Sequence, residues 1–169
     1  MRLEFSALSV SSNIKGFDCG VEELNDLLQR LSLVYQSRRF GFTILCHQYD
    51  DPNQRVIGYY TVAPAQIFRT ELPEKFITGP RPNPIPAFRL CRLAIDKTFQ
   101  GKGIGEITLF DALKKCHEGS TFFGGALVIV DAKNDRGKNF YAQYGFHPIS
   151  SDPLCMVISL KNISKYLDS

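Results

Sequence analysis

A glycine-dense turn at residues 100–105 (QGKGIG) constrains the fold of this chain more than any other feature. An apolar run typical of a β-strand, residues 88–96, comes before it, and a run with helical spacing, residues 104–116, follows. Glycines leave backbone N–H groups free of side-chain bulk at the positive end of a helix dipole. The sequence therefore predicts a strand, a turn and a helix that together can hold a phosphate group.

The rest of the chain divides into further runs with the period of a helix or a strand. Apolar residues recur every three or four positions over residues 21–39, which predicts an amphipathic helix, with Asp18 placed to cap it. The remaining predicted elements are a strand hairpin at 42–46 and 55–63, strands at 126–132 and 154–160, a helix at 135–144 and a helical turn at 74–77 within the proline-rich segment 66–86. This alternation predicts a mixed α/β fold with at least one parallel crossover.

Length and composition suit a single domain. With 169 residues, 44% of them hydrophobic, the chain can bury a real core, and we expect residues 1–169 to form one domain. No apolar run approaches the ~20 residues that span a bilayer, so we expect a cytoplasmic protein with no membrane partner. The five cysteines are odd in number and widely spaced, which predicts reduced, packed thiols. His47, His117 and His147 are too scattered to indicate a metal site.

Two nucleotide-binding motifs compete for the glycine turn. A dinucleotide fold would use Asp131, at the end of a later strand, to bind a ribose. However, Glu106 stands where the third glycine of that fingerprint belongs, and residues 97–100 separate the strand from the glycines. A P-loop requires G-K-[ST], which the sequence lacks. Both motifs therefore fit the turn poorly.

The turn resembles the acyl-CoA-binding signature of the GCN5-related N-acetyltransferases (GNAT), R/Q-x-x-G-x-G/A, through Gln100, Gly103 and Gly105. A second element of that family, N-x-x-A-x-x-[LF]-Y-x-x-x-G-F, is matched downstream with glycine in place of its alanine. The matching residues are Asn134, Gly137, Phe140, Tyr141, Gly145 and Phe146. Two motifs in the family order imply the GNAT fold, an α/β fold whose mixed central sheet has splayed strands and is flanked by helices.

The resemblance also implies acetyl-CoA as cosubstrate, with no metal. Backbone N–H groups of the turn would bind the pyrophosphate, main-chain groups of Leu93 and Ile95 would pair with the pantetheine arm, and Asn134 would bond to the arm or its thiol end. The implied cofactor-binding set is Leu93, Ala94, Ile95, Gln100, Gly101, Lys102, Gly103, Ile104, Gly105, Asn134, Phe140 and Tyr141. Phe140, Tyr144 and Phe146 also fit the core.

Tyr141 occupies the family position of the general acid that protonates the leaving thiolate. A tyrosine with a pKa near ~10 keeps its proton at neutral pH and can donate it. Spacing alone favours a packed aromatic residue on a helix for Tyr141, and the surrounding motif reverses that preference. No general base is identified, because the strand 88–96 contains no glutamate, and Cys91 has no recognisable histidine partner for nucleophilic catalysis.

Residues 17–20, 56–60, 92–96 and 130–133 are similar to the acetyltransferase toxins of bacterial toxin–antitoxin pairs. That resemblance implies acetylation of the α-amino group of aminoacyl-tRNA, a block of translation, and neutralisation by a ribbon-helix-helix antitoxin; we also expect a homodimer. An α-amino group with a pKa near ~7.7–8.0 is partly neutral without a base, unlike a lysine near ~10.4. The basic candidates for tRNA are Arg38, Arg39, Arg81, Arg89 and Arg92, and Lys75 and Lys133 are secondary candidates. The alternatives are a small-molecule or protein N-acetyltransferase of the same fold, and a CoA-binding or antitoxin-binding protein without catalysis.

Overall fold

The computed structural model describes residues 1–76 and 79–167. Its strands are β1 (Leu3–Ala7), β2 (Phe42–Gln48), β3 (Val56–Ile67), β4 (Ile85–Ile95), β5 (Leu127–Asp131), β6 (His147–Pro148) and β7 (Cys155–Ser159). Its helices are α1 (Glu22–Asp26), α2 (Ser32–Ser37), α3 (Ile104–Phe123), α4 (Asp135–Ala142) and α5 (Leu160–Leu167). Among these residues, seven strands form a sheet in the order β1-β2-β3-β4-β5-β7-β6. The predicted α/β class with a mixed sheet is confirmed.

The chain packs as two compact units. The first unit comprises Met1–Ala63 and Cys91–Ala112, and the second comprises Pro64–Leu90 and Leu113–Ser169. In the first unit, β1 and β2 pair antiparallel, and β2 pairs antiparallel with β3. The predicted hairpin is therefore confirmed, whereas β1 is a strand that the sequence analysis missed.

The predicted helix at residues 21–39 is present as three consecutive pieces. A π-helical segment, Leu27–Leu31, separates α1 from α2, and the Ser32 hydroxyl donates to the Leu27 carbonyl oxygen at 2.7 Å. Leu28 is buried in this segment and belongs to the core of the first unit. The apolar period of the sequence thus located the helix but gave no sign of its π turn.

The prediction that Asp18 caps this helix is wrong. The N-cap residue is Val21, and no side chain caps the helix there. Asp18 instead accepts hydrogen bonds from the Gly20 N–H and the Asn25 amide, both at 2.9 Å. Its other carboxylate oxygen lies 2.8 Å from Nζ of Lys97. Lys97, which is distant in sequence, therefore pairs with the Asp18 carboxylate that the sequence analysis had assigned to the helix N-terminus.

In the second unit, β4 pairs parallel with β5 from Ala87↔Leu127 to Leu90↔Val130, which confirms the predicted crossover through α3. β7 pairs antiparallel with β5 and with β6. The predicted splay of the strands stays a prediction. α3 ends at Phe123, well beyond the predicted end at residue 116. Its last turns contain Gly119, which packs against the Phe88 ring.

The described part of the proline-rich segment is irregular between β3 and β4, as predicted. It contains two short 3₁₀ turns, Arg69–Glu71 and Glu74–Phe76, while Leu72 and Phe76 are buried in the core of the second unit. The predicted turn at 74–77 is present to Phe76; residue 77 lies outside the described residues. No helix within 1–76 or 79–167 is both long and apolar enough to cross a membrane.

Candidate active site

The glycine turn presents its backbone to open space at the start of α3. Gly101 and Gly103 have φ values of 75° and 79°, a left-handed conformation that favours glycine. A Cβ atom on either glycine would meet no atom within 4 Å. Because the first helical N–H groups lack partners within the helix, they point outward with the positive end of the dipole. The predicted phosphate-binding turn therefore has the backbone geometry that anion binding requires.

The turn rests on a buried carboxylate that the sequence analysis did not identify. Asp96 ends the β4 run and is only 1% exposed. It accepts hydrogen bonds from the Thr98 backbone N–H at 3.0 Å, the Thr98 hydroxyl at 2.7 Å and the Asp18 N–H at 3.2 Å. Arg55 Nη2 lies 3.5 Å from it. The pattern Asp-x-Thr at 96–98 is the sequence signal that could have found it, since Asp commonly bonds backbone two residues on.

Both carboxylates in this network stay ionised at neutral pH. Burial alone would raise the pKa of Asp96, but hydrogen bonds from Thr98 and Asp18, together with the Arg55 charge, hold it below its usual value. Hydrogen bonds from Lys97, the Gly20 N–H and Asn25 lower the pKa of Asp18 to about 2. The segment that leads from β4 into the glycine turn is therefore held by charge-assisted hydrogen bonds, which are stronger than neutral ones.

Gln100 holds the turn in place through its side chain. Its Nε2 donates to the carbonyl oxygens of Cys19 and Ile95, each at 2.9 Å. Both amide hydrogens are thereby used, because the group has only two to donate. The side chain of Gln100 thus fixes the turn geometry, and it is the backbone that remains to meet a ligand.

Lys102 and Arg55 lie at the ring of Phe99. The Lys102 Nζ and the Arg55 guanidinium carbon are each 5.4 Å from the centroid of that ring. Such distances are within the range of a cation–π contact. Lys102 is exposed and lies two residues before the start of α3, which is the anion-binding end of that helix.

The predicted arm-binding strand runs directly into this turn. Ala94 and Ile95 are buried, and Leu93 is half-buried. A Cβ atom on Gly58 of β3 would lie 2.8 Å from Cδ1 of Ile95 and 3.3 Å from the Ala94 carbonyl oxygen. Glycine at position 58 therefore allows β3 to approach this end of β4 closely. The first unit thus brings together all predicted cofactor residues from Leu93 to Gly105.

The second unit contains the other predicted cofactor residues on and just before α4. Asn134 caps this helix, its side-chain oxygen accepting from the Gly137 N–H at 3.0 Å. Phe140 and Tyr141 lie with ring centroids 5.2 Å apart, and Tyr141 contacts Phe146 at 5.4 Å. Burial raises the pKa of Tyr141 to about 12. The phenol therefore keeps its proton across the whole neutral and mildly alkaline range.

The basic candidates for tRNA fall into both units. Arg38 and Arg39 are exposed after α2, and Arg92 lies over the Tyr35 ring at 6.0 Å. In the second unit Arg89 forms an ion pair with Asp131. The dinucleotide alternative needed the Asp131 carboxylate to bind a ribose, and the ion pair competes with that role.

The other basic candidates lie in the second unit. Arg81 lines a cavity there, the Lys75 Nζ lies against the His147 ring, and Lys133 is exposed. Among residues 1–76 and 79–167, no group of three potential ligands could hold a metal ion.

Comparison with known proteins decides between the motifs. Residues 80–157 match the model of the acetyltransferase (GNAT) domain, a range that includes the glycine turn, Asn134 and Tyr141. This part of the chain is therefore similar to a GNAT acetyltransferase domain. The chain is 28% identical to a tRNA-acetylating toxin of Mycobacterium tuberculosis over 92% of its own length and 90% of that relative.

Two solved structures resemble this chain over nearly its whole length. AtaT complexed with acetyl-methionyl-tRNAfMet is 26% identical with a TM-score of 0.89, covering 98% of this chain and 99% of that one. AtaTR bound with AcCoA is 27% identical with a TM-score of 0.84, covering 98% of both chains. The likeness thus extends well beyond the residues of the domain match.

Proposed function

We propose that the chain transfers an acetyl group from acetyl-CoA to the α-amino group of aminoacyl-tRNA and so blocks translation as the toxin of a toxin–antitoxin pair. The observation that carries this proposal is the whole-chain likeness to a tRNA-acetylating toxin and to AtaT bound to an acetylated aminoacyl-tRNA. The GNAT domain match supports the enzyme class independently.

Acetyl-CoA binds through the strand and turn of the first unit. The N–H groups from Gly101 to Gly105, with the positive end of the α3 dipole, hold the pyrophosphate, and Lys102 adds a charge beside it. Main-chain groups from Leu93 to Ile95 align the pantetheine arm. AtaTR bound with AcCoA, which is similar to this chain over 98% of its length, supports this cosubstrate.

In the reaction the neutral amine attacks the thioester carbonyl, a C–N bond forms, the C–S bond breaks, and sulfur leaves with the electron pair. Tyr141 donates a hydrogen bond to that sulfur. Because burial raises the pKa of Tyr141 to about 12, and a free thiol titrates near ~8.5, the phenol stabilises a thiolate without losing its own proton. The attacking nitrogen releases its proton to water.

The acceptor end of the tRNA meets an exposed aromatic and cationic surface of the first unit. Arg92 lies over the Tyr35 ring, and Tyr35 contacts Phe40 with ring centroids 6.0 Å apart. Phe40 is 60% exposed, and Arg38 and Arg39 are exposed beside it. Single-stranded RNA ends are bound by such combinations, through base stacking on aromatic rings and charge on the phosphates.

The remaining parts of the proposal concern the protein as a whole. We expect one domain, a homodimer, a cytoplasmic location, and a ribbon-helix-helix antitoxin as partner. The likeness to AtaT, which has been solved bound to the C-terminus of the antitoxin AtaR, supports an antitoxin as partner.

The test is transfer of radiolabelled acetyl from acetyl-CoA to a mixture of aminoacylated tRNAs, with deacylated tRNA and a lysine-rich peptide run alongside. We expect label on aminoacyl-tRNA alone, at the amino acid. Label on the peptide, or on free polyamines, with none on any RNA would replace this proposal with a protein or small-molecule N-acetyltransferase. Binding of acetyl-CoA with no transfer to any acceptor would indicate a catalytically silent CoA-binding protein.

A further inference from the structure

A serine, a histidine and a glutamate meet on the first two strands of the sheet. Glu4 and Ser6 lie two residues apart on β1, so their side chains share one face of that strand. His47 of β2 is the register partner of Glu4. The Ser6 Oγ lies 3.2 Å from Nε2 of His47, and the Glu4 Oε2 lies 3.9 Å from Nδ1 of the same ring. The imidazole therefore stands between a hydroxyl and a carboxylate, and each of them faces a different ring nitrogen.

The ring of His47 is buried, whereas the two groups that flank it are open to solvent. His47 is 5% exposed, and both Ser6 and Glu4 are exposed. Nδ1 of His47 is fully covered and has no hydrogen-bond partner among the described residues. A buried nitrogen without a hydrogen bond costs free energy, so it calls for an explanation in structure or in chemistry. Acetyl transfer does not supply one, because β2 and β3 separate β1 from β4 in the sheet.

The chemistry of the three groups determines which nitrogen carries the proton. A carboxylate only accepts hydrogen bonds, so the neutral ring has its proton on Nδ1, the nitrogen that faces Glu4. Nε2 then accepts a hydrogen bond from the Ser6 hydroxyl. This is the order of nucleophile, base and orienting acid in serine hydrolases. The Glu4 contact is longer than a hydrogen bond, and catalytic contacts are commonly long in the free enzyme and shorten when substrate binds.

The outer edge of β1 provides a donor for an oxyanion. The Leu8 N–H donates to the Thr43 carbonyl oxygen at 3.0 Å, and successive N–H groups of a strand point in opposite directions. The Ala7 N–H therefore points away from β2. β1 is the first strand in the sheet order, so none of the described strands pairs with this edge. The N–H of the residue after a nucleophilic serine is a common oxyanion donor.

We propose that Ser6, His47 and Glu4 form a second catalytic site that hydrolyses small acyl esters. Ser6 Oγ attacks the ester carbonyl while His47 Nε2 takes its proton, and the Ala7 N–H stabilises the oxyanion. The bond to the alcohol oxygen then breaks, and His47 returns the proton to the departing alcohol. A water molecule attacks the acyl-Ser6 ester in the same way and releases the carboxylic acid. Glu4 is a positioning residue, which orients the ring and stabilises the imidazolium.

The test is reaction with a fluorophosphonate, which labels an activated serine. The Ser6 Oγ–P bond forms and fluoride leaves, so peptide mass spectrometry locates the label. We expect the label at Ser6, and Ser6→Ala should remove it and lower hydrolysis of p-nitrophenyl acetate by about 10²-fold or more. His47→Gln should slow labelling by about 10²-fold or more, because the general base is lost. Ser11→Ala, at an exposed serine after β1, is the matched control and should react like the wild type.

Glu4→Gln tests the positioning role through the pH profile of labelling. The charged groups near the ring are Glu4 and Asp51, and the residue opposite His47 on β3 is the buried Val56. Labelling accelerates with rising pH as the imidazole loses its proton. Glutamine does not stabilise the imidazolium, so the midpoint of this profile should move to lower pH in the variant. An unchanged midpoint would overturn the role of Glu4. Thermal unfolding shows that each variant is folded.

The outcomes keep this inference apart from the proposed function. Ser6→Ala should acetylate aminoacyl-tRNA like the wild type. Wild-type protein that acetylates tRNA but takes no label, or is labelled at another residue, overturns the second site alone. Label that persists in Ser6→Ala overturns it as well. Wild-type protein that is labelled at Ser6 and acetylates no tRNA overturns the proposed function and supports the esterase site.

Discussion

The two sets of predicted site residues, one in each unit, are held by different kinds of contact. The turn after β4 is held by polar bonds that converge on the buried carboxylate of Asp96, supported by the side-chain amide of Gln100. The residues on α4 are held by one cap and by ring contacts among Phe140, Tyr141 and Phe146. A segment that must present several backbone N–H groups needs its backbone fixed, whereas one that presents a single phenol needs only its ring packed.

The largest expected effect on catalysis comes from a substitution among the ring-packed residues of the second unit. Tyr141→Phe removes only the hydroxyl, so the ring contacts and the fold remain. We expect kcat for acetyl transfer to fall by about 10²-fold or more, the usual value of a positioned proton or hydrogen-bond donor, with the KM for acetyl-CoA nearly unchanged. Steady-state kinetics with aminoacyl-tRNA measures both parameters.

The control for this change is Tyr49→Phe, which removes a hydroxyl from an exposed tyrosine outside the proposed site. It should retain wild-type kinetics. If Tyr141→Phe has the same kcat as the wild type, Tyr141 is only a packed aromatic residue with no part in the chemistry.

The second prediction concerns the polar network around Asp96 in the first unit. Asp96→Asn replaces a buried charge that accepts from Thr98 and Asp18, and we expect a loss of about 2 kcal/mol in the free energy of unfolding. Because the turn is then less well fixed, the KM for acetyl-CoA should rise more than kcat falls. Urea denaturation and initial-rate kinetics measure the two effects.

Asp50→Asn is the matched control, since Asp50 is exposed and bonds only to Gln48 among the described contacts. Its effect should stay within about 0.5 kcal/mol. A destabilised Asp96→Asn protein with an unchanged KM would mean that the network supports the fold without shaping the turn.

A substitution within α4 is expected to stabilise the protein, by less than Asp96→Asn destabilises it. Gly137 is helical, and a Cβ atom there would lie 3.6 Å from the Ala132 Cβ, an ordinary contact distance. Gly137→Ala should therefore raise the free energy of unfolding by about 0.5–1 kcal/mol, because alanine loses less backbone entropy in a helix. Denaturant midpoints measure the gain, and a loss of stability would show that α4 tolerates no added atom.

The smallest predicted effect is the acid dependence of the Asp18–Lys97 pair. The folded-state pKa of Asp18, about 2, lies below the unfolded value of ~3.9, so its contribution is present above that value and is lost as pH falls toward 2. The difference in unfolding free energy between wild type and Asp18→Asn should thus shrink from pH 5 to pH 2. A constant difference over that range would show that the carboxylate has no depressed pKa.

Periodicity and turn residues predicted the elements that carry their own sequence signal. The hairpin of β2 and β3, the parallel crossover and the helix carrying Tyr141 all follow from apolar spacing and glycine positions. The short strand β1 was missed because it is mostly exposed and pairs on one side only. The end of α3 was missed because Gly119, Ser120 and Thr121 are weak helix formers, whereas in the structure this segment continues the helix and Gly119 lies against the Phe88 ring.

The sequence by itself determined the α/β class, the glycine turn at the start of α3 and the position of Tyr141, because spacing and the absence of a Cβ act locally. Tertiary structure alone decided that Asp18 meets Lys97 instead of capping a helix, and that Gln100 reaches the Cys19 carbonyl. It also decided that Arg81 and Lys161 line one cavity. These partners are far apart in the chain, and only the free energy of packing the core brings such groups within hydrogen-bonding or Coulombic range.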